Sequence, residues 1–312
     1  MCEGACIIMP RASIVDVIRN PYKIIKHLGG LGFFKWIPDE TYLKMCYRGA
    51  FGKKLDLDNP QTFNEKLQWL KLNNRKQIYS TMVDKYEVKK YVADIIGEEY
   101  IIPTYGVWDS FDKIEFETLP NQFVLKCTHD SGGIYICKDK SKLDLIAAKK
   151  KIEKCLKRSF YYVGREWPYK NIKPRIIAEQ YMEDELSAEL SDYKLMCFNG
   201  RLRFTLVCQD RYSDEGLHES FFDNDWRLMP FMRHKPLCKG QIKRPFHFEQ
   251  MKEFAEKLSA DVPFLRVDFY EINGRLYFGE LTLYPGNGFE EFIPESYDAI
   301  IGSWLELDTK HI

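Results

Sequence analysis

The chain lacks any overall charge, because its 46 Lys and Arg residues are matched by 46 Asp and Glu residues. A protein that grips nucleic acid over its whole surface needs a strong positive surplus, so we expect no nucleic-acid partner. The balance is uneven along the chain, since residues 1–80 hold 13 basic and 7 acidic side chains. This basic front part allows peripheral contact with a membrane surface, or it forms an ordinary solvated face.

The sequence also lacks a CxxC pair, although it has nine cysteines. Scattered thiols, odd in number, are typical of a reduced cytoplasmic protein and argue against a disulfide scaffold. There is no run of about 18 apolar residues, the length needed to span a bilayer. Charged residues and a proline interrupt residues 1–16, so no signal peptide is predicted either. We therefore expect a cytoplasmic protein that meets a membrane only at its surface.

Internal repeats and low-complexity tracts are absent as well, and helical spacing dominates up to residue 96. Helices are predicted over residues 12–36, from Pro38, after a capping box at Thr62, and over residues 80–96. Beyond residue 97, hairpin and strand patterns interleave with helices at residues 122–137, 142–157, 175–181, 193–207, 248–258 and 264–283. This mixture predicts an α+β architecture of two lobes with largely antiparallel sheets.

A first constellation is Lys126 with the turn from Thr128 to Gly133, between two predicted strands. Small hydroxyl residues and the two glycines at 132 and 133 let backbone N–H groups approach phosphate oxygens, and the lysine supplies a positive charge. The turn has neither the GxxxxGK[ST] order of a P-loop nor GxGxxG. An ordinary polar hairpin turn is the alternative.

A second constellation lies in the predicted hairpin around Asn273-Gly274, which sets Asp268 and Glu280 side by side. Two carboxylates held this close repel each other unless a cation lies between them, and hard oxygen ligands suit Mg²⁺ with bound phosphates. The alternative is a surface pair relieved by lysines. The flanking strand residues are apolar on both faces, which favours the metal.

Two shorter patterns remain. The strand from Ile176 to Met182 could offer backbone groups to an adenine while Glu179 accepts its exocyclic amine, but a simple edge strand would have the same sequence. Asp223-Asn224-Asp225 has the Asp-x-Asp form that holds a metal and a sugar nucleotide in glycosyltransferases, and a polar turn is the other interpretation.

In their order and spacing, these pieces resemble the ATP-grasp superfamily of carboxylate–amine ligases, and more closely its TupA-like branch of cell-surface polysaccharide and teichuronopeptide synthesis. The resemblance is carried by Phe63–Leu70, Asp84–Tyr86, Lys89–Val92, Phe123–Lys126, Asp192–Gly200, Arg266–Asp268, Phe278–Thr282 and Tyr284–Gly286. It implies an ATP-grasp fold in which two α+β lobes grip ATP. The implied parts are a helical segment at 1–80, a linker helix and small lobe at 81–182, and a C-terminal lobe at 183–312.

The resemblance also implies roles for individual residues. It assigns the binding of ATP to Lys85, Lys126, Thr128, Ser131, Gly132, Gly133, Glu179 and Met182. Lys194 and Arg266 would act on the transferring phosphate, and Asp268 and Glu280 would hold Mg²⁺. Thr282 stands where the superfamily has a metal-binding asparagine, so Asn287 is expected to replace it.

The implied reaction starts when a substrate carboxylate attacks the γ-phosphorus of ATP, and an amine then captures the acyl phosphate to form an amide. The expected partners are small-molecule or glycan substrates that carry a carboxylate and an amine, with a sugar acid of a surface polysaccharide as the carboxylate. The alternatives are a glycosyltransferase, an ATP-dependent kinase of a glycan precursor, and a non-catalytic protein that keeps the fold.

Overall fold

The computed structural model describes residues 21–184, 191–210 and 216–308. It contains two antiparallel sheets, each covered by helices, so the predicted α+β class is confirmed. The part of the first predicted helix before residue 21 lies outside the described residues, as do Cys2 and Cys6. Within the described ranges, no helix has both the length and the apolar character needed to cross a membrane.

Helices α1 to α5 come first, and four more follow between and after the strands. In chain order they are α1 Pro21–Gly30, α2 Asp39–Phe51, α3 Phe63–Asn73, α4 Ile78–Val83, α5 Glu87–Ile96, α6 Leu145–Leu156, α7 Tyr161–Gly164, α8 Phe248–Ser259 and α9 Ser296–Ser303. Helix α3 begins with the predicted capping box. The Glu65 N–H donates to the Thr62 hydroxyl (3.2 Å), and the Thr62 N–H donates to the Glu65 carboxylate (3.0 Å).

The single helix predicted over residues 80–96 is wrong, because the chain breaks between α4 and α5. Asp84 causes the break: its carboxylate accepts the N–H groups of Tyr86 (2.8 Å) and Glu87 (3.2 Å) and so starts a new helix. The break frees the N–H of Lys85, which donates to the carbonyl of Thr128 (3.0 Å). It thereby ties the helical region to the predicted phosphate loop.

The smaller sheet has the strand order β1-β4-β2-β3, with β1 Thr104–Trp108, β2 Phe123–Cys127, β3 Ile134–Cys137 and β4 Ile176–Gln180. The larger sheet has the order β7-β6-β5-β8-β9, with β5 Asp192–Phe198, β6 Arg201–Gln209, β7 His218–Phe222, β8 Phe264–Ile272 and β9 Arg275–Thr282. Strands β1 and β7 were not predicted. The interpretation of β4 as an edge strand is wrong, because β4 pairs with β1 on one side and β2 on the other.

Two tight turns set the register of the larger sheet. Asn199-Gly200 and Asn273-Gly274 have positive φ at both residues, as the favoured two-residue hairpin turns require. The second turn joins β8 to β9, and a register shift between Asp268 and Phe269 puts Asp268 directly opposite Glu280. The predicted side-by-side placement of these carboxylates is confirmed.

Each sheet has its own apolar core. The larger sheet packs on α3 and α8, whereas the smaller sheet packs on α6. A third, small cluster joins the first helices to the C-terminal region through Tyr42, Leu43, Cys46, Tyr47, Leu55 and Phe289. The sheets can therefore each be stable while polar side chains occupy the region between them. The predicted domain boundaries near residues 80 and 182 stay predictions.

Candidate active site

Strand β4 places one buried carboxylate between two lysines. Glu179 is 5% exposed, and its two oxygens lie 2.6 Å from the Lys89 ammonium and 2.5 Å from the Lys126 ammonium. Burial alone would raise the pKa of Glu179, but Lys126 and Lys89 outweigh it and hold the pKa at about 2. The group is therefore a fixed anion that positions two cations on the face of the smaller sheet.

The predicted phosphate loop follows β2 and is fixed at its base by Lys85. The Lys85 ammonium donates to the carbonyl of Asp130 (2.7 Å). At Gly132, φ is 106°, a conformation that disfavours any side chain, although a Cβ there would meet no atom. A Cβ at Gly133 would lie 2.9 Å from Cβ of Cys155, so this glycine is needed for close packing against α6.

His129 and Asp130, the two largest side chains of this loop, both contact Arg158. The His129 ring lies 3.2 Å from the Arg158 carbonyl, and the Asp130 carboxylate lies 3.5 Å from the Arg158 guanidinium. Thr128 is fully buried, and its hydroxyl forms no hydrogen bond with the rest of the described chain. Two backbone N–H groups of the loop are already used, because that of Thr128 donates to the Arg175 carbonyl (2.9 Å) and that of Ser131 to the Asp130 carboxylate (2.7 Å). The two glycines keep theirs available among the described residues.

The larger sheet holds a second charged cluster on β5, β8 and β9. Arg266 donates to both oxygens of Asp268 (2.7 and 2.8 Å) and also to the carboxylate of Glu280. The Lys194 ammonium lies 2.5 Å from Asp268 and 2.5 Å from Asp192. Three carboxylates thus share two cations, which leaves the cluster with a formal charge of about −1 when all groups are ionised.

The pKa shifts in this cluster follow from burial and from the facing cations. Burial raises the pKa of Asp268, although Arg266 and Lys194 act against it. For Glu280, the same burial effect is outweighed by Arg266 and Lys194, and further by Lys85 and Lys126, so its pKa is about 2. Lys85 and Lys126 belong to the smaller lobe. Their influence on Glu280 indicates that the two clusters lie near each other.

The two predicted metal ligands differ in accessibility. Asp268 is 1% exposed, whereas the side chain of Glu280 is 45% exposed, with the Thr282 hydroxyl 3.4 Å from its Oε1. No group of three or more His, Cys, Asp or Glu side chains in the described ranges forms a complete metal cage. Mg²⁺ is commonly held by one or two carboxylates plus water and substrate phosphates, so this pair of oxygen donors fits that ion.

The other predicted site residues lie further from this pair. Asn287 packs against Gly164, where a Cβ would lie 2.0 Å from its side-chain oxygen, and the hydrogen-bonded cluster of described residues around Asp268 does not include it. Its metal role stays a prediction. Met182 is half-buried and follows the end of β4. Because β4 is paired on both sides, backbone contacts to an adenine would have to come from the residues after Gln180.

Sequence reasoning gave no role to Lys89 or Asp192, which complete the two clusters. Both lie within the phrases that carry the resemblance, and the Asp192-Tyr-Lys194 spacing puts Asp192 and Lys194 on one face of β5. Lys89 had no such signal, because its partner Glu179 is distant in sequence.

The Asp-x-Asp tripeptide forms a turn after β7, as the alternative interpretation predicted. The Asp223 carboxylate accepts the N–H groups of Asp225 (2.9 Å) and Arg227 (2.8 Å). Asn224 donates to the carbonyl of Leu202 (3.0 Å), and Asp225 pairs with Arg227 (3.3 Å). These contacts account for all three residues as local structure.

With this geometry established, comparison with known proteins identifies the family. Residues 65–306, more than three-quarters of the chain, match the family model of the TupA-like ATP-grasp proteins. The chain belongs to the TupA-like ATP-grasp family. Membership confirms the resemblance stated from the sequence and the prediction of an ATP-grasp enzyme. No curated protein matches this TupA-like chain.

Solved structures similar to this TupA-like protein include three ligases. D-Alanine–D-alanine ligase from Helicobacter pylori has 16% identity and a TM-score of 0.41, over 78% of this chain and 69% of that one. The Bacillus anthracis D-alanine–D-alanine ligase complexed with ATP has 14% identity, a TM-score of 0.40, and coverage of 65% and 55%. The ATP-grasp ligase PsnB with minimal precursor, Mg and ADP has 9% identity, a TM-score of 0.40, and coverage of 77% and 66%. The TupA-like chain thus spans about half to two-thirds of their lengths, and the family assignment rests on the family model.

Proposed function

We propose that this protein is an ATP-dependent carboxylate–amine ligase that forms an amide through an acyl phosphate. The observation that carries the proposal is the pairing of two clusters of opposite charge across one cleft, in a chain of the ATP-grasp family. Two lysines and one carboxylate face an anion-binding loop on one side. Three carboxylates and two cations lie on the other.

The lysine side suits the phosphates of ATP. Lys89 and Lys126 share the single charge of Glu179, so their cluster keeps a formal charge of about +1 for phosphate oxygens. Lys85 and the backbone N–H groups of the loop up to Gly133 extend this positive surface. Tyr181 and Met182, beyond the paired part of β4, are placed to contact the adenine.

The acidic side suits a metal and the transferring phosphoryl group. When bound between Asp268 and Glu280, Mg²⁺ would neutralise phosphate charge and align the γ-phosphoryl group. Lys194 holds Asp268 in place, while Arg266 bridges Asp268 and Glu280 and is placed to stabilise charge on the transferring group. Both cations are held by buried carboxylates, so little reorganisation is needed during the reaction.

In the proposed reaction, an oxygen of the substrate carboxylate forms a bond to the γ-phosphorus as the bond to ADP breaks. The amine, after its ammonium form has lost one proton to solvent, attacks the acyl carbon through its nitrogen. Phosphate then leaves, and the nitrogen loses one further proton to give the amide. No nucleophilic side chain is required, so positioning and electrostatic stabilisation account for catalysis. By the resemblance, the carboxylate belongs to a sugar acid of a surface polysaccharide, and the amine to an amino acid or a similar compound.

Nucleotide titration tests the first half of this proposal. Thermal unfolding is followed with Mg–ATP, and in parallel with UDP- and GDP-sugars. A ligand at about 100 times its Kd stabilises the folded state by about 2.7 kcal/mol, and we expect this for Mg–ATP alone. Stabilisation by a sugar nucleotide instead would support a glycosyltransferase and overturn the ligase.

Product analysis tests the second half. We expect release of ADP and phosphate only when a sugar acid and an amine are both present. ADP formed from a glycan precursor without any amine would establish a kinase. Absence of ADP release with all acceptors, despite Mg–ATP binding, would support a non-catalytic protein.

We also propose peripheral membrane contact through the basic front part of the chain. Supporting it, the segment after α1 exposes Leu31 (63%), Phe33 (62%) and Trp36 (79%), apolar side chains of the kind found at bilayer interfaces. Co-sedimentation with vesicles of anionic lipid, compared with vesicles of neutral lipid, tests this. Equal recovery in the supernatant of both samples would contradict it.

A further inference from the structure

Glu166 is a buried carboxylate that has no role in the proposed reaction so far described for Asp268, Glu280 and the lysines. It lies between the short helix α7 and a 3-10 turn at Trp167–Tyr169, and it is 4% exposed. Among the described residues its side chain forms no hydrogen bond and no ion pair. Its oxygens are not among the fully buried polar atoms without a partner in the described chain, so they keep a small contact with solvent. A nearly buried carboxylate without a partner is costly when ionised, and one that a ligand can still reach indicates a ligand site.

Three cations influence Glu166 electrostatically: Lys71, Lys26 and Arg266. Arg266 belongs to the cluster around Asp268 and Glu280. The geometry agrees, because the Lys71 ammonium donates to the carbonyls of both Gly164 (2.8 Å) and Asn287 (2.7 Å) and so ties the chain just before Glu166 to the turn that follows β9, the strand of Glu280. Tyr169 gives a second indication of this position, because both Glu166 and Glu280 add to the effect of burial in raising its pKa. The segment Glu166–Tyr169 thus lies close to the cluster around Asp268 and Glu280.

The neighbouring cations direct their hydrogen bonds elsewhere. The Lys71 ammonium donates to the Gln68 side chain (2.9 Å) and to the carbonyls of Gly164 (2.8 Å) and Asn287 (2.7 Å), which uses all three of its N–H groups. Arg266 donates to Asp268 and Glu280. Glu166 is therefore surrounded by positive charge but keeps its oxygens available for another donor.

The backbone beside Glu166 is held rigidly. Arg165 is 1% exposed, has a left-handed φ of 54°, and donates to the carbonyl of Phe34 (2.6 Å). Its guanidinium lies over the ring of Tyr42, with 4.4 Å to the ring centre. Anchoring of this kind fixes the direction of the next residue, so the position of Glu166 is determined by the fold before any ligand arrives.

We propose that Glu166 binds the ammonium group of the amine substrate, next to the acyl group that this amine attacks. The inference rests on the proposed function and names the residue that receives its second substrate. An ammonium ion supplies the three N–H donors and the positive charge that Glu166 lacks within the described chain. Burial also raises the pKa of Glu166 to about 7, against the effects of Lys71, Lys26 and Arg266, and an entering cation would favour its charged form.

The first test measures stability without any substrate. Replacing an unpartnered buried carboxylate by an amide removes a charge that the fold does not need, so Glu166→Gln is expected to unfold at the same or a higher temperature at pH 8. The control is Glu219→Gln, since Glu219 is equally buried but bonded to Arg233 (2.7 and 2.8 Å). That variant removes one of the two carboxylates that hold Arg233, which also pairs with Glu290, and should lose stability. Loss of stability in Glu166→Gln comparable to the control would show a structural role and overturn the proposal.

The second test measures amine binding in the presence of Mg–ADP and glucuronate. Glycine, L-alanine, L-glutamate, L-lysine and ethanolamine are each titrated beside their N-acetyl forms, which have no ammonium group, and thermal unfolding is followed. We expect a free amine to stabilise the wild-type protein more than its acetylated form does. In Glu166→Gln the apparent affinity for that amine should fall about 30-fold or more, the scale for losing one partner of a buried charge pair.

The outcomes of this test separate the two proposals. Unchanged stabilisation by Mg–ADP with loss of the amine effect in Glu166→Gln supports the proposal, and partial recovery in Glu166→Asp strengthens it. Equal amine affinity in wild type and Glu166→Gln, or equal effects of free and acetylated amines, overturns it while leaving the ligase intact. Absence of any Mg–nucleotide stabilisation in the wild type would instead contradict the proposed function itself.

Discussion

The two charged clusters both bury several charged side chains, but the ratio of carboxylates to cations is opposite in the two. On the smaller sheet one carboxylate is enclosed by two lysines, and the side chain of Glu179 is 7% exposed. On the larger sheet three carboxylates share Lys194 and Arg266, and the side chain of Glu280 remains 45% exposed. The first cluster therefore has positive charge to spare, and the second has negative charge.

This difference accounts for a division of labour between the lobes. A cluster with surplus cations attracts phosphate oxygens, whereas one with surplus carboxylates attracts a metal ion and can order cations around it. Neither cluster alone has the chemistry for phosphoryl transfer. Under the proposed function they would together hold a triphosphate with its magnesium, and each can be altered separately to test this assignment.

The largest expected effect comes from the open carboxylate of the acidic cluster. Glu280→Ala should lower ATP turnover by about 100- to 1000-fold, the scale for losing one preorganised electrostatic partner. Release of ADP is measured under saturating Mg–ATP. The control is Glu253→Ala on α8, where an exposed glutamate pairs only with Lys257 among the described residues, and its turnover should be unchanged. Near-normal activity of Glu280→Ala would refute the metal role.

Removing the enclosed carboxylate, that of Glu179, should lower the stability of the protein. Glu179→Gln leaves two partly buried lysines without their anion, so the free energy of unfolding should fall by about 3 kcal/mol. Urea unfolding at pH 7 measures it, with Glu87→Gln as the control, because the side chain of Glu87 is 49% exposed. If the free energy of unfolding falls equally in the two variants, the position of Glu179 between its lysines contributes nothing to stability.

The pH dependence of Glu179 follows from its pKa of about 2. Because this pKa is below the ordinary value of about 4.3, Glu179 stabilises the fold above that value, and its contribution is lost as the pH falls towards 2. The gap in unfolding free energy between wild type and Glu179→Gln should therefore narrow from pH 7 to pH 3. A gap that widens on acidification would show that the carboxylate is not held ionised by its lysines.

A smaller effect is expected from the cationic side. Lys126→Met removes one charged donor to the phosphates and should raise the Kd of Mg–ATP about 10- to 100-fold, as for one hydrogen bond to a charged group. Calorimetric titration measures it. Lys90→Met is the control, since the side chain of Lys90 is 82% exposed and pairs with Asp94. If both variants bind Mg–ATP equally well, the assignment of phosphate binding to Lys126 is wrong.

The smallest effect is expected outside both clusters. Asp225→Asn alters the Asp-x-Asp tripeptide at an exposed position of its turn, so stability should change by ~0.5 kcal/mol or less, and ADP release should be unchanged. Abolished activity in this variant would move the catalytic centre to the tripeptide and favour a sugar nucleotide as substrate.

The parts of the site that lie within one hairpin were predictable from sequence. Asn273-Gly274 demands a tight turn, and this turn brings the segments of β8 and β9 that hold Asp268 and Glu280 side by side. The turn alone would pair Asp268 with Gly279, and an irregularity at this point of the ladder shifts its partner to Glu280. The hairpin around the phosphate loop and the capping box at Thr62 were predictable for the same reason. In each case the interacting atoms are a few residues apart.

The parts of the site that join distant segments could not be predicted. The helical pattern of residues 80–96 continues through Asp84, but the helix is interrupted there because the Asp84 carboxylate accepts two backbone N–H groups. Lys89 and Glu179 meet across ninety residues of chain. Strand β1, which contains Gly106 and an irregular register with β4, carries little strand pattern of its own.

The sequence by itself determined the class of the fold, its hairpins, the family and the pair of acidic residues, because hydrogen bonding within turns, caps and hairpins depends on neighbours along the chain. Only the tertiary structure decided which charges meet: Lys89 with Glu179, Lys194 with Asp192 and Asp268, and Glu166 with no partner in the described chain. Those pairings depend on which side chains packing removes from water together, and desolvation and charge attraction act through space rather than along the sequence.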